Sequence, residues 1–275
     1  MTKNYTIFGD PVEHSKSPQM HNAGFKQISF DGNYTKTHLL NGSTIKEKFL
    51  SDNLKGANIT VPHKIDAFKA ADEIIGLANK IGAINTYINE NNKVIAYNTD
   101  APGFMKAIEE FQDIEPINTV LLLGAGGTSK AIAVALREVN IDVTVLNRSM
   151  NNKDFFTDLG CKFYDWDGMR LLFSGGGFVL SYDLIINSTS AGLKDELYPV
   201  SLELLKPLVE QSTFAFDCIY GKLTPFLQIA KEYGIKYKDG EDMLLYQGVI
   251  AFELFTNTKA DDNLVESMRK GLKES

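Results

Sequence analysis

The segment from Thr119 to Leu136 constrains this chain more than any other. An apolar run, Val120 to Leu123, ends at Gly124; Gly126 and Gly127 follow, and a helix-period pattern (Ala131, Val134, Ala135) begins at once. Strand, glycine turn and helix in that order make the unit a dinucleotide pyrophosphate needs. The first glycine permits the tight turn, the second lets backbone N–H groups approach the phosphates, and the helix N-terminus supplies positive partial charge. The third glycine of that fingerprint is replaced by Ser129. The next strand ends in Asn147-Arg148-Ser149. A site for NAD carries Asp or Glu about 20 residues after the loop, to bind the ribose 2′-hydroxyl. A cation and a hydroxyl in that place suit a 2′-phosphate instead, since a carboxylate would repel it and Arg binds it. The pattern reads as a site for NADP.

At 275 residues the chain has the length of two domains. Its net charge of −7 argues against nucleic acid or an anionic membrane surface as the main partner. An anionic ligand must therefore be met by local positive groups and backbone N–H. Cys161 and Cys218 show neither CxxC spacing nor a nearby His, which points to no metal site, no disulfide framework and a reducing, cytoplasmic setting. No apolar run approaches the roughly 18 residues a membrane span needs. His14, His21, His38 and His63 are scattered, without HxxxH or HExxH spacing, so surface or structural roles are expected of them.

Strand and helix patterns alternate along the chain. Strands are expected over 5–9, 34–38 and 56–61, helices over 18–28 and 45–50, and a helical stretch from about 64 to 75. A hairpin follows, 83–88 and 94–97, around the polar turn Asn89-Glu90-Asn91-Asn92. A helix over 103–111 leads into the glycine-loop strand, and further strands lie near 142–146, 161–164, 183–188 and 213–217. Helical patterns over 243–256 and 261–273 close the chain. Such alternation implies an α/β fold with mostly parallel, covered sheets. Two domains are expected: residues 1–100 with 239–275 as a substrate-binding domain, and 101–238 as a Rossmann domain. The C-terminal helices would return to the first domain and leave a cleft between the two. Ser174 and the glycines at 175–177 read as an irregular loop.

Four polar patches at strand ends carry candidate chemistry. In the first, Ser15-Lys16-Ser17-Pro18, Ser17 before Pro18 suits a helix cap, while the hydroxyls of Ser15 and Ser17 also suit an anion held at the same terminus. In the second, alternation places Asn58 and Thr60 on one face of a strand that Pro62 stops. Lys64 then opens a helix, the wrong end of the dipole for a cation, where a lysine is either solvated surface or a group suited to proton exchange. The third is Gly82 to Thr86, with Asn85 at a strand start. The fourth is Asn98-Thr99-Asp100, where Asp100 is either an N-cap or a carboxylate that pairs with Lys64. There is no Tyr-x-x-x-Lys pair and no GxSxG elbow.

Taken together, these patches resemble the shikimate dehydrogenase family. Ser15-Lys16-Ser17-Pro18, Asn58 to Lys64, Gly82 to Thr86, Asn98-Thr99-Asp100, the Gly124 to Gly127 loop and Asn147-Arg148-Ser149 fall in the family's order. So do Asp217-Cys218-Ile219-Tyr220, Thr224-Pro225, Asp239-Gly240 and the run from Met243 to Gln247, and the resemblance spans the whole chain. It implies reversible, NADPH-dependent reduction of 3-dehydroshikimate to shikimate, a step in aromatic amino-acid biosynthesis, by a monomer or homodimer. It implies that Lys64 and Asp100 are the catalytic pair. Ser15 and Ser17, with Tyr220, would hold the substrate carboxylate, and Asn58, Thr60, Asn85 and Gln247 the ring hydroxyls. Gly124, Ala125, Gly126, Gly127 and Thr128 would surround the pyrophosphate, and Asn147, Arg148 and Ser149 the adenosine phosphate. Cys218 and Gly240 would lie near the nicotinamide.

One departure stands out. The family often carries a basic residue a few positions after the Asn-Arg-Ser/Thr tripeptide; here Met150-Asn151-Asn152 intervenes and Lys153 lies further on. Two rivals share most of these residues. A quinate/shikimate dehydrogenase would accept quinate and use NAD, against which Arg148 and the paired serines argue. A non-catalytic NADP-responsive regulator would be expected to lack Lys64 or Asp100, and both are present.

Overall fold

In the computed structural model of the chain, the described residues are 2–174 and 180–274. The glycines at 175–177 of the expected irregular loop lie outside them. The chain divides into two compact units, Met1–Gly103 with Leu244–Ser275, and Phe104–Met243. Each is built on its own six-stranded sheet.

The first unit contains β1 (Lys3–Gly9), β2 (Gly32–His38), β3 (Gly56–Ile59), β4 (Glu73–Ile74), β5 (Thr86–Glu90) and β6 (Lys93–Tyr97), in the order β2-β1-β3-β5-β6-β4. β1 runs parallel to β2 and β3, whereas β5 is antiparallel to both β3 and β6. Period-two alternation along β1 splits the core. Tyr5 and Ile7 join Met20, Phe25, Phe252, Phe255 and Leu264 on one face, and Phe8 joins Ile45, Phe49, Ala57 and Ile59 on the other. Both faces are thus covered. The helices Glu241–Thr256 and Asp262–Lys273 cover the first face beside the helix Ser17–Gln27, so the C-terminal helices pack on the N-terminal segment.

That packing depends on small residues. A Cβ at Gly271 would stand 2.7 Å from the Gln19 carbonyl oxygen and 2.9 Å from the Ala23 Cβ. Alanine ordinarily improves a helix interior by about 1 kcal/mol over glycine. Overpacking against rigid backbone costs typically 1–3 kcal/mol, and here the nearest neighbour is backbone. Gly271→Ala is therefore expected to destabilise the first unit by about 1 kcal/mol. Chemical denaturation followed by circular dichroism checks the sign: a stabilised variant would mean that the two helices separate freely.

The helical stretch expected to reach residue 75 ends earlier. The helix Lys64–Ala70 stops at Ala71, which is extended, and Glu73–Ile74 pairs with β6 as β4. Asp72 N–H donates to the Val94 carbonyl, the Asp72 carboxylate accepts from Val94 N–H at 2.8 Å, and Ile75 N–H donates to Ala96. An open sheet edge with unpaired donors and acceptors captures the chain and overrides its helical pattern.

The second unit contains β7 (Thr119–Leu123), β8 (Asp142–Asn147), β9 (Lys162–Asp165), β10 (Tyr182–Asn187), β11 (Ser212–Asp217) and β12 (Lys236–Lys238). All of their pairings are parallel, and the order is β12-β11-β10-β7-β8-β9. Counted from β7 this is 6-5-4-1-2-3, the doubly wound dinucleotide order, with its switch point between β7 and β10. The apolar strands are buried on both faces: Leu121, Leu123, Leu146, Ile185 and Ala215 share one cluster with Leu204, Leu205, Phe226 and Leu227. The glycine turn therefore leaves β7 at the switch point, at the carboxyl ends of the strands.

Candidate active site and nucleotide site

Topology gathers the polar patches of the first unit at one sheet edge. β1 and β3 are parallel neighbours, so the segments after Gly9 and Ile59 leave the same side. Because β5 is antiparallel to β3, its first residues lie beside the end of β3; Asn58 pairs with Thr86. β6 turns back again, with Tyr97 opposite Thr86, and delivers Asn98 to Asp100 to the same edge. Ser15, Ser17, Asn58, Thr60, Lys64, Asn85 and Asp100 all belong to these strand ends.

At the centre, Lys64 Nζ donates to Asp100 Oδ2 at 2.6 Å, with the two side chains 22% and 12% exposed. A pair this sheltered is a charge-assisted bond that fixes both groups while leaving the ammonium accessible. Asp100 Oδ1 accepts from Asn85 Nδ2 at 2.9 Å. Asp100 is the first residue of the helix Asp100–Ala107, but its carboxylate is not the cap. Asn98 Oδ1 accepts from the N–H groups of Asp100 and Ala101, at 3.0 and 3.2 Å, and so releases the carboxylate for Lys64.

Asn85 is almost wholly engaged inside the unit. Besides Asp100, its Nδ2 donates to Thr99 Oγ1 at 2.9 Å and reaches Gln247 Oε1 at 3.3 Å. Its Oδ1 accepts from Thr99 N–H at 2.8 Å and Thr86 Oγ1 at 3.1 Å. Gln247 can approach because Gly103 has no side chain: a Cβ there would stand 2.6 Å from the Gln247 backbone nitrogen. Thr60 turns its methyl onto Gly9, where a Cβ would come within 2.4 Å of Thr60 Cγ2.

Ser17 does not cap its helix as one sequence reading had it. It is the first helical residue, and its N–H donates to Ser15 Oγ at 3.3 Å, since Lys16 occupies the capping position. Ser15 Oγ also lies 3.2 Å from Ser17 Oγ, which makes a paired-hydroxyl corner at the positive end of an 11-residue helix.

In the second unit, the backbone at Gly124 has φ +104°, a conformation that favours glycine. A Cβ at Gly126 or Gly127 would meet no atom within 4 Å, so open space lies over the start of the helix Gly127–Glu138. First-turn N–H groups such as those of Gly127 and Thr128 have no partner within their own helix. Ser129, standing where the third glycine is expected, is fully buried; its Oγ accepts from Gly126 N–H at 3.0 Å and meets Ser188 Oγ at 2.8 Å. The hydroxyl ties the glycine turn to the end of β10.

After β8, Asn147 Nδ2 donates to the Ser149 carbonyl at 2.8 Å and shapes the turn on which Arg148 stands exposed. Arg148 makes no ion pair among the described residues. Asn152, in the left-handed region at φ 64°, donates from Nδ2 to the Ala125 carbonyl at 2.9 Å. It joins the turn after β8 to the glycine turn after β7. Open backbone over the helix start, an exposed guanidinium and Asn147 in place of a carboxylate together fit a dinucleotide bearing a 2′-phosphate.

Beyond β11, Cys218 N–H donates to Asn187, and Gly240 N–H donates to Ile219. A Cβ at Gly240 would stand 2.4 Å from the Cys218 carbonyl oxygen, so those two residues of the second unit are brought together, with Tyr220 half exposed beside them. Asp217 holds this turn. Its buried carboxylate accepts from Asn187 Nδ2 at 3.1 and 3.2 Å, Thr224 Oγ1 at 2.6 Å and Ile219 N–H at 2.9 Å. Burial nevertheless pushes its carboxyl above the usual range.

Sequence reasoning quoted Asn98, Thr99 and Asp217 within their motifs but gave them no role of their own, and it did not mark Asn152 as part of the site, because nothing in a lone Asp, Asn or Thr marks whether it faces a neighbour or water. Among the described residues, no three His, Cys, Asp or Glu form a group able to hold a metal ion. No helix among them is long and apolar enough to cross a membrane.

Residues 7–87 match the shikimate dehydrogenase substrate binding domain, and residues 240–272 the shikimate 5′-dehydrogenase C-terminal domain. A shikimate dehydrogenase (NADP(+)) of Helicobacter hepaticus is 41% identical over 266 residues, 96% of this chain and 95% of its own length. That of Helicobacter pylori strain J99 is 42% identical over 94% of both. The crystal structure of shikimate 5-dehydrogenase from Thermus thermophilus in complex with NADP(H) and shikimate gives a TM-score of 0.81 at 28% identity, over 98% of this chain and 100% of the other. The Aquifex aeolicus shikimate dehydrogenase gives 0.83 at 30% identity, over 97% of each chain. With its glycine turn, its Lys64–Asp100 pair and relatives of this similarity along nearly its full length, the chain belongs to the shikimate dehydrogenase family.

Proposed function

We propose that this chain catalyses the reversible, NADPH-dependent reduction of 3-dehydroshikimate to shikimate. Beyond family membership, the observation that carries the reading is the Lys64–Asp100 ion pair, braced by Asn85 at a polar sheet edge. NADPH, when bound, supplies the hydride. Negative charge develops on the substrate carbonyl oxygen as its carbon is reduced, and a positioned donor must meet it there. Lys64 gives that oxygen a proton from Nζ in reduction and takes it back in oxidation. Asp100 orients the ammonium through Oδ2, and Asn85 orients Asp100 through Oδ1.

The remaining roles follow the chemistry of each group. Ser15 and Ser17 take the substrate carboxylate, with Tyr220. Asn58, Thr60, Asn85 and Gln247 meet the ring hydroxyls, so that an analogue lacking one leaves a buried group unpaired. Gly124, Ala125, Gly126, Gly127 and Thr128 hold the pyrophosphate, Asn147, Arg148 and Ser149 the 2′-phosphate, and Cys218 and Gly240 border the nicotinamide. The protein works as a monomer or homodimer in the cytoplasm, a setting that suits Cys161 and Cys218, neither of which is in a disulfide.

An assay with two substrates and two cofactors tests the reading. Nicotinamide absorbance is expected to rise with shikimate and NADP⁺, and only weakly with quinate or with NAD⁺. Comparable turnover of quinate and shikimate would move the assignment to a quinate/shikimate dehydrogenase.

A further inference from the structure

Tyr34 lies in β2, outside every motif that marks the site, yet its phenol reaches the middle of it. The ring is 2% exposed, and its hydroxyl donates to Asn58 Oδ1 at 2.7 Å. On the other side of the same amide, Asn58 Nδ2 donates to the Asn85 carbonyl at 3.3 Å and to Thr86 Oγ1 at 3.1 Å. The orientation of the Asn58 amide is therefore determined, since a backbone carbonyl can only accept. Both of its N–H bonds are spent inside the protein, and one lone pair of Oδ1 is taken by Tyr34. A single acceptor lone pair remains.

The phenol is itself held firmly. His21 stacks on it, with ring centroids 4.4 Å apart and planes within 1°. Neither ring nitrogen of His21 makes a hydrogen bond of good geometry. Burial drives its pKa down to about 3, against a smaller opposing effect of the neighbouring Asn58 amide, so the stacked ring is neutral at working pH. Asn22 clamps the Tyr34 backbone from both sides, accepting from its N–H and donating to its carbonyl at 2.9 Å each.

We infer that Tyr34 is a specificity-determining positioning residue, which holds Asn58 as an obligatory acceptor and so makes that part of the site demand a ring hydroxyl as donor. A ring carbonyl or a hydrogen at the same position has nothing to donate and would leave the Asn58 lone pair buried and unpaired, a loss the site's polar design makes expensive. This inference rests on the functional reading above.

Wild-type turnover of shikimate is measured first; its absence overturns the functional reading itself. Tyr34→Phe, which keeps the ring and its stacking, is then expected to raise the KM for shikimate about fivefold, as for loss of one neutral hydrogen bond. Its kcat should change less than twofold, and the NADPH dissociation constant, read by fluorescence, should not move. In an Asn58→Ala background the same substitution should add less than twofold to KM. Among mono-deoxy shikimates, the one lacking the hydroxyl held by Asn58 should bind wild type and Tyr34→Phe equally well. An unaltered shikimate KM in Tyr34→Phe overturns the inference. So does a fivefold rise that persists undiminished with Asn58→Ala, because Tyr34 would then act through the fold and not through that amide.

Discussion

Replacing Lys64 with alanine is expected to lower kcat by about 10²- to 10⁴-fold, the range general acid–base groups contribute, while melting and circular dichroism stay near wild type. The structural effect is small because Lys64 is only partly buried and lies on the first turn of a seven-residue helix. The catalytic effect is large because no other cation pairs with Asp100 among the described residues. Asp100→Asn should also lower turnover: it keeps the shape of the carboxylate but removes the charge that orients the ammonium. The double variant should lose less than the product of the two single losses, since the residues act as one unit. A Lys64→Ala enzyme with near-normal kcat and a raised KM would make Lys64 a binding residue, and the proton would then come from Asp100 or from water.

The second large effect concerns the cofactor. Arg148→Ala is expected to weaken NADPH binding about 10- to 100-fold, the equivalent of one charge-assisted hydrogen bond of roughly 1.5–3 kcal/mol. NADH binding should barely change, because it lacks the 2′-phosphate. Fluorescence titration of each cofactor reads this without turnover. The prediction is sharp here because Arg148 is exposed, and the side chain at Asn152 is engaged elsewhere, donating to the Ala125 carbonyl. Equal losses for NADPH and NADH would show that Arg148 serves the adenine or the fold.

Much of the site was legible in the sequence because its parts are local. Gly124 stands where a turn requires φ +104°, and Arg148 stands where a carboxylate would exclude a 2′-phosphate. Lys64 after Pro62, and Asp100 after Asn98, each carry their chemistry in a few residues. The assignments that changed were those decided by a partner far along the chain. Asp100 suited a helix cap as well as a catalytic carboxylate, and only its bond from Lys64, 36 residues earlier, shows which role it takes. Residues 71–75 continue a helical pattern, yet the edge of β6 draws them into a strand.

By itself, then, the sequence determined the local chemistry: strand and helix periods, the glycine turn, and the polar groups a nicotinamide-linked reduction of a hydroxylated ring requires. Tertiary structure alone decided the order β12-β11-β10-β7-β8-β9, the meeting of Lys64 with Asp100 36 residues away, and the Tyr34 phenol on Asn58. The physical reason is range. Turn conformation and burial pattern are set by neighbours within a few residues, whereas a hydrogen bond between distant side chains exists only once the sheet has placed both on the same edge.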